Sequence, residues 1–164
     1  MTSSPLLTPL AAAVLHVGDP ERILQVECGE GDGVLFLARE FPGARIRGID
    51  GSAEAVRAAS SRIGLDPEGR VAFKQGGPRS LPFPDDQFDL LAAVDSHPTP
   101  AEAARVLRPG GSLALVSTCS PEVLRGFRGA LLRHGFEPVW SEPAGDGSFF
   151  LARRRGGDPP RLAV

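Results

Sequence analysis

The stretch ILQVECGEGDG, Ile23 to Gly33, joins a short apolar run to a glycine-rich turn. Ile23–Val26 has the length and composition of a strand, and Cys28–Gly33 has the backbone freedom of a tight turn. Val34–Phe41 follows with apolar residues at helical spacing. Strand, glycine-rich turn and helix in that order let backbone approach a nucleotide-like ligand closely. Many strand–helix turns contain glycine and bind nothing, so the flanking sequence has to decide.

Working outward, strands and helices alternate. Arg45–Ile49 reads as a second strand closed by Asp50-Gly51, and Ser52–Ile63 as a helix with Ser52 as N-cap. Val71–Lys74 is a third strand. Phe88–Val94 is nearly continuous apolar sequence, as a strand buried on both faces should be. Thr99-Pro100-Ala101-Glu102 is a capping box with proline at the first helical position, opening a helix that ends at Leu107 before Pro109-Gly110-Gly111. Ser112–Ser117 is a fifth strand, and Ser120-Pro121 opens a helix running through Arg133. Glu137–Ser141 and Ser148–Arg153 follow without a helix between them, so they pair as an antiparallel edge. Upstream, Thr8-Pro9 caps a short helix, Leu10–His16. The pattern predicts a parallel α/β sheet with helices on both faces. It divides the chain into a short helical segment (1–19), the main domain (20–154) and a basic flexible tail (155–164).

Composition narrows the function. The 164 residues include 18 Lys or Arg and 20 Asp or Glu, for a net charge of −2. That balance excludes a broad basic surface for duplex nucleic acid. Of the basic residues 17 are Arg, which we read as high-GC coding bias. Two cysteines make no disulfide framework, the apolar stretch Leu6–Val17 is too short and broken to span a bilayer, and no basic residue precedes Arg22. The expectation is a soluble cytoplasmic protein with no membrane contact. His16, His97 and His134 share no metal-ligand spacing with Cys28 and Cys119. The cysteines read as inert thiols near the carboxyl edge of the sheet. Trp140, Phe136 and Phe149 read as core or as an interface patch.

Four segments together resemble class I S-adenosylmethionine-dependent methyltransferases of the type 11, ubiquinone-biosynthesis-like branch. They are Ile23–Gly33, ARIRGIDGSAEAVRAA (44–59), SLPFPDDQFDLLAAV (80–94) and ARVLRPGGSLALVS (104–117), with GFEPVWSEPAGDGSFFLARR (135–154) resembling the last two strands. The resemblance implies a Rossmann-like, mostly parallel seven-stranded sheet with an antiparallel last strand. It also implies an S-adenosylmethionine site at the carboxyl ends of the first, second and fourth strands. Cofactor contacts would fall on Glu27, Gly29, Gly31, Asp50 with Gly51, and Gly77. Asp50 would accept the ribose hydroxyls or cap the following helix.

Several matched positions depart from the family pattern. One register puts Gln25 at the first-strand acid and Glu27 at the first glycine, keeping Gly29 and Gly31. A second, shifted by two, makes Glu27 the acid before Gly29, Gly31 and Gly33, but starts the next helix late. A buried, unpaired Glu27 would cost several kcal/mol. Gly76-Gly77-Pro78 stands where the family places an acid for the adenine amino group. At the fourth-strand end, Asp95 (a base if buried) and His97 are the catalytic candidates, or simply turn caps. Asp85, Asp86 and Asp89 fit a solvated turn and a strand start. The segments before the first strand and between Val94 and Arg105 are shorter than in the family, trimming lid and substrate wall.

Two functions follow. An active enzyme would methylate an acceptor by in-line positioning, the cleft enclosed by a large acceptor or a second subunit. Alternatively, a catalytically silent fold would serve as an assembly module, dimeric or docked on a protein partner. A nicotinamide-dependent reductase shares the turn and the second-strand acid, but the Arg-Pro-Gly-Gly turn and final strands argue against it.

Overall fold

The computed structural model describes residues 7–118 and 122–156. The strands are β1 (Arg22–Val26), β2 (Arg45–Asp50), β3 (Val71–Gln75), β4 (Phe88–Val94), β5 (Leu107–Ser117), β6 (Phe136–Ala144) and β7 (Gly147–Arg154). The helices are α1 (Thr8–Val14), α2 (Asp32–Glu40), α3 (Ala53–Ser61), α4 (Pro100–Val106) and α5 (Glu122–Arg133). All seven strands form one sheet in the order β3-β2-β1-β4-β5-β7-β6. β1 to β5 are parallel, and β7 runs antiparallel to both β5 and β6.

Alternate residues of the central strands feed two apolar layers, because side chains along a strand point to opposite faces. Leu24, Leu91, Leu113 and Leu115 pack with Ala103 and Val106 of α4 and Leu131 of α5. Ile23, Ile46, Leu90 and Val116 pack with Leu10 and Ala13 of α1 and Val34 and Leu37 of α2. Each fully buried Leu or Ile contributes roughly 1.5–3 kcal/mol of transfer free energy. α1 thus belongs to the same core as the main domain.

Two caps sit where the sequence puts them. Ser52 accepts from Ala55 N at 3.2 Å and Thr99 from Glu102 N at 3.4 Å. The N-terminal helix differs. Its N-cap is Leu7 with no side-chain cap, and it covers Thr8–Val14 rather than Leu10–His16. Thr8 instead lies against the β6–β7 turn at Gly145, while Leu10, Ala13 and Val14 bury themselves. β5 also begins earlier than expected. Leu107 pairs with Phe88 and Ser112 with Leu90, so Arg108–Gly111 is an irregularity inside the ladder, not a turn before it. Ser120 and Pro121, expected to open α5, lie outside the described residues, as do Cys119 and most of the 155–164 tail.

The turn after β1 is left-handed at alternate residues: Glu27 at φ 52°, Gly29 at 55° and Gly31 at 93°. α2 opens with Gly31 as its N-cap, and Gly33 lies within the helix. This is the geometry of the register that sets Gln25 in the strand and Glu27 in a glycine-favouring position. A side chain in the left-handed region costs about 1 kcal/mol or more. Glu27→Gly should therefore raise the melting temperature by about 2–4 °C for a domain this size, measured calorimetrically. A lowered melting temperature would mean that the Glu27 side chain stabilises the turn.

No helix separates β3 from β4, and one arginine holds the connecting loop. Arg105 donates to Leu81 O at 2.9 Å, Phe83 O at 2.7 Å, Asp85 Oδ1 at 3.0 Å and Glu102 Oε1 at 2.8 Å. Glu102 Oε2 accepts from Leu81 N at 2.7 Å, closing the clamp of the loop onto α4. The Arg105 hydrogen bond, aided by Leu81 N–H, holds the Glu102 carboxyl below its ordinary value of 4.5. A lowered carboxyl pKa adds stability that is full above the ordinary value and lost as pH falls through the folded one. Glu102→Gln should be destabilised by about 1–3 kcal/mol at neutral pH. That gap should narrow as pH falls below the ordinary carboxyl value and through the lowered folded one in denaturant titrations; a gap constant with pH would refute the assignment.

Candidate functional site

From β1 the chain runs outward through β2 and β3, then crosses to β4 on the other side of β1. Ligands of open α/β sheets bind beyond the carboxyl ends of the strands at such a reversal. A cleft of about 210 Å³ lies there, lined by Gln25, Glu27, Gly29, Val94, Asp95 and Thr118 among others.

Close packing builds its floor. A Cβ at Gly31 would stand 2.9 Å from the Phe73 ring and 3.2 Å from Ala59 Cβ, so only glycine fits between α2 and β3. A Cβ at Gly33 would meet the Gln25 amide at 2.5 Å. Gln25 is 3% exposed, and its Oε1 has no hydrogen-bond partner among the described residues. A buried, unpaired amide oxygen costs about 1–3 kcal/mol, and here it belongs to a side chain that lines the cleft. The sequence marks Gln25 only as a lost acid; its orphaned acceptor is visible only once α2 is seen lying on β1.

Asp50 ends β2. Its Oδ2 accepts from Gly29 N and its Oδ1 from Ser52 N, both at 2.9 Å. The carboxylate closes the turn before α3, and the cap of that helix is the Ser52 hydroxyl. Each carboxylate oxygen keeps a lone pair, since each can accept about two hydrogen bonds. Glu27 is exposed, so the burial cost foreseen for its carboxylate does not arise. Gly51 is exposed, and its carbonyl accepts from Gln75 Nε2 at 3.0 Å. At Gly77 an added Cβ would meet nothing within 4 Å. Cys28 packs beside the turn; burial and the nearby Asp50 charge push its thiol up to about 12, so it stays protonated.

Asp95 is exposed at φ 52° and is tied to the end of β5, accepting from Thr118 N at 2.8 Å and from the Thr118 hydroxyl. The burial that would make it a strong base is absent. His97 stacks on Phe127 of α5, ring centroids 4.9 Å apart, and its Nδ1 is buried without a partner among the described residues. Desolvation lowers its pKa against the opposing pull of Asp95, favouring neutral imidazole. Asp85, Asp86 and Asp89 are each paired, with Arg105, Arg154 and Arg108 respectively. Trp140 is 49% exposed and stacks on His16, whereas Phe136 and Phe149 are buried.

Residues 23–111 match the family described as "Methyltransferase domain". A fatty-acid O-methyltransferase of Mycolicibacterium smegmatis is 39% identical over 98 residues, covering 56% of this chain and 35% of that protein. The 27-O-demethylrifamycin SV methyltransferase of Amycolatopsis mediterranei is 36% identical over 117 residues, covering 66% of this chain and 43% of that protein. The chain thus spans less than half of the length of each of these two relatives. Among solved structures, a Haloferax volcanii putative methyltransferase in complex with the Trm112 activator superposes with a TM-score of 0.77 at 17% identity, over 91% of this chain and 90% of that one. A SAM-dependent methyltransferase from Aquifex aeolicus gives 0.75 at 18% identity, over 91% of each chain. Structures at this identity speak for the fold alone. The sheet order with its reversed β7, and a family match over more than half of the chain, establish that it belongs to the class I S-adenosylmethionine-dependent methyltransferase family.

Proposed function

We propose that this chain holds S-adenosylmethionine over the Glu27–Gly31 turn and methylates an oxygen of a large apolar acceptor. The observation that supports it most is the buried Gln25 Oε1, an acceptor without a protein donor, lining the cleft. It suits the ammonium of the cofactor's methionine portion. Asp50 has acceptor capacity left for the ribose hydroxyls, and the exposed Glu27 carboxylate favours positive charge at the mouth. When bound, the cofactor supplies an electrophilic methyl on sulfonium sulfur.

The chain's own work is then positioning. Asp95, tied to Thr118, shapes the β4–β5 edge where the acceptor enters. His97 stacks on Phe127 outside the cleft lining, so it would take the acceptor's proton only from an acceptor that extends to α5. The acceptor class follows the named substrates of the relatives, a fatty acid and a rifamycin. Another subunit or a protein partner would close the cleft, and a soluble, cytoplasmic setting suits both reagents. The catalytically silent alternative rests on Gln25, Glu27 and Gly77. An exposed Glu27 favours the active reading over it, since its carboxylate is not buried in the cleft, whereas Gly77 still lacks the side-chain acceptor.

S-adenosylhomocysteine at about 100 times its dissociation constant should stabilise the domain by about 2.7 kcal/mol, a rise of roughly 5–10 °C. Asp50→Ala should abolish most of that rise. Gly77→Asp adds an acceptor in unoccupied space and should tighten binding about tenfold. No shift at millimolar ligand in either the natural chain or Gly77→Asp would sink the proposal. Binding regained only in Gly77→Asp or Glu27→Gly would favour the silent reading.

A further inference from the structure

Away from the cleft, β1 and β2 place three arginines on one sheet face. Arg22 pairs in register with Arg45, and Arg47 follows two residues along β2 opposite Leu24. Lys74 of β3 lies on the same face, opposite Ile49, with its ammonium 5.7 Å from the Phe83 ring centroid. With no helix between β3 and β4, this amino-terminal half of the face stays open. Arg22, Arg45, Arg47, Gln87 and Phe88 line a hollow of about 310 Å³ there.

The charges in it are not neutralised. Among the described residues, no carboxylate lies within ion-pair distance of Arg22, Arg45 or Arg47, although the chain as a whole is net negative. Nearby acids are engaged elsewhere. Asp89 accepts from the backbone N of Glu21 and Arg22 at 3.0 Å and pairs with Arg108. Asp66, which attracts Arg47, accepts from Val71 N at 3.0 Å. Like charges directly across a strand pair are destabilising. Desolvation, then Arg45 and Arg22, work against the Arg47 charge.

The Arg47 guanidinium is nevertheless held in place. Its Nη1 donates to Ile46 O and Arg70 O at 3.0 Å and to Gly69 O at 3.4 Å, leaving Nε and Nη2 without an acceptor among the described residues. A fixed guanidinium with a free edge binds bidentately to phosphoryl or carboxylate oxygens. Three guanidiniums in one hollow favour the doubly charged phosphoryl group.

We infer that Arg22, Arg45 and Arg47 form an anion site for the phosphoryl group of a small soluble molecule, separate from the cofactor cleft. Inorganic pyrophosphate is the probe. In calorimetric titrations it should bind saturably, more weakly as ionic strength rises, and without displacing S-adenosylhomocysteine. Arg45→Gln should weaken it about tenfold, and Arg22→Gln with Arg45→Gln further. Arg128→Gln removes one exposed charge from α5 and should leave binding unchanged. Arg45 is exposed, and without pyrophosphate Arg45→Gln should melt no lower than the natural chain. Absence of pyrophosphate binding would overturn the inference. So would an equal loss in Arg128→Gln, which indicates general charge attraction. Capture by phosphatidic acid vesicles with no binding of free pyrophosphate would overturn it as well.

Discussion

The Asp50 carboxylate sets the geometry on which the carboxyl edge depends. One oxygen takes the N–H of Gly29 and the other that of Ser52. Cys28 N adds a bond to Ile49 O at 2.9 Å. The turn leaving β1 is thereby fastened to the end of β2, and the start of α3 with it. Arg62, at the end of α3, reaches back to Glu30 O at 2.9 Å and Asp32 Oδ1 at 2.7 Å. So the turn is held from both ends of one helix. This fixed loop brings α2 close enough to β1 and β3 that a side chain at Gly31 would meet the Phe73 ring and one at Gly33 would have to displace the Gln25 amide. The cleft is the space this arrangement leaves between β1 and β4.

Local signals made most of the fold legible. Ser52 and Thr99 cap as their sequence context demands, because capping depends on residues three apart. The apolar run Phe88–Val94 becomes the central strand residue for residue, since burial on both faces leaves no other reading. What failed was decided at a distance. Thr8 does not cap because it packs on the β6–β7 turn. Arg108–Gly111 looks like a linker, yet pairing of Leu107 with Phe88 draws it into β5. The glycine turn, and Asp50 at the end of β2, could be read directly. The orphaned Gln25 amide could not, because it depends on how closely α2 approaches β1. Arg22 and Arg45 are separated in sequence and meet only through strand register.

Charge is treated differently in different parts of the molecule. Around the β3–β4 loop and the start of β4, Asp85, Asp86, Asp89 and Glu102 each pair with an arginine, and these pairs take the place of a missing helix. Arg105 alone bonds two loop carbonyls and two carboxylates. Such pairs on exposed ground add little singly, but a guanidinium spanning a loop restrains many backbone atoms at once. The arginines of β1 and β2 have no such partner among the described residues, and strand register gathers three of them in one hollow.

The same reasoning bears on Gln25 and Glu27. An aspartate at position 25 would be almost fully enclosed, and among the described residues no cationic side chain lines the cleft beside it. Burying that charge unpaired costs far more than burying an amide. Glutamine keeps an acceptor at the buried position and removes the charge. Glutamate two residues later restores a negative charge where water still screens it, at the expense of a left-handed backbone. The domain is thus spared a buried charge in the absence of a ligand, and a carboxylate remains at the cleft mouth. Relative to the pattern that the resemblance implies, the negative charge stands two residues further along the turn.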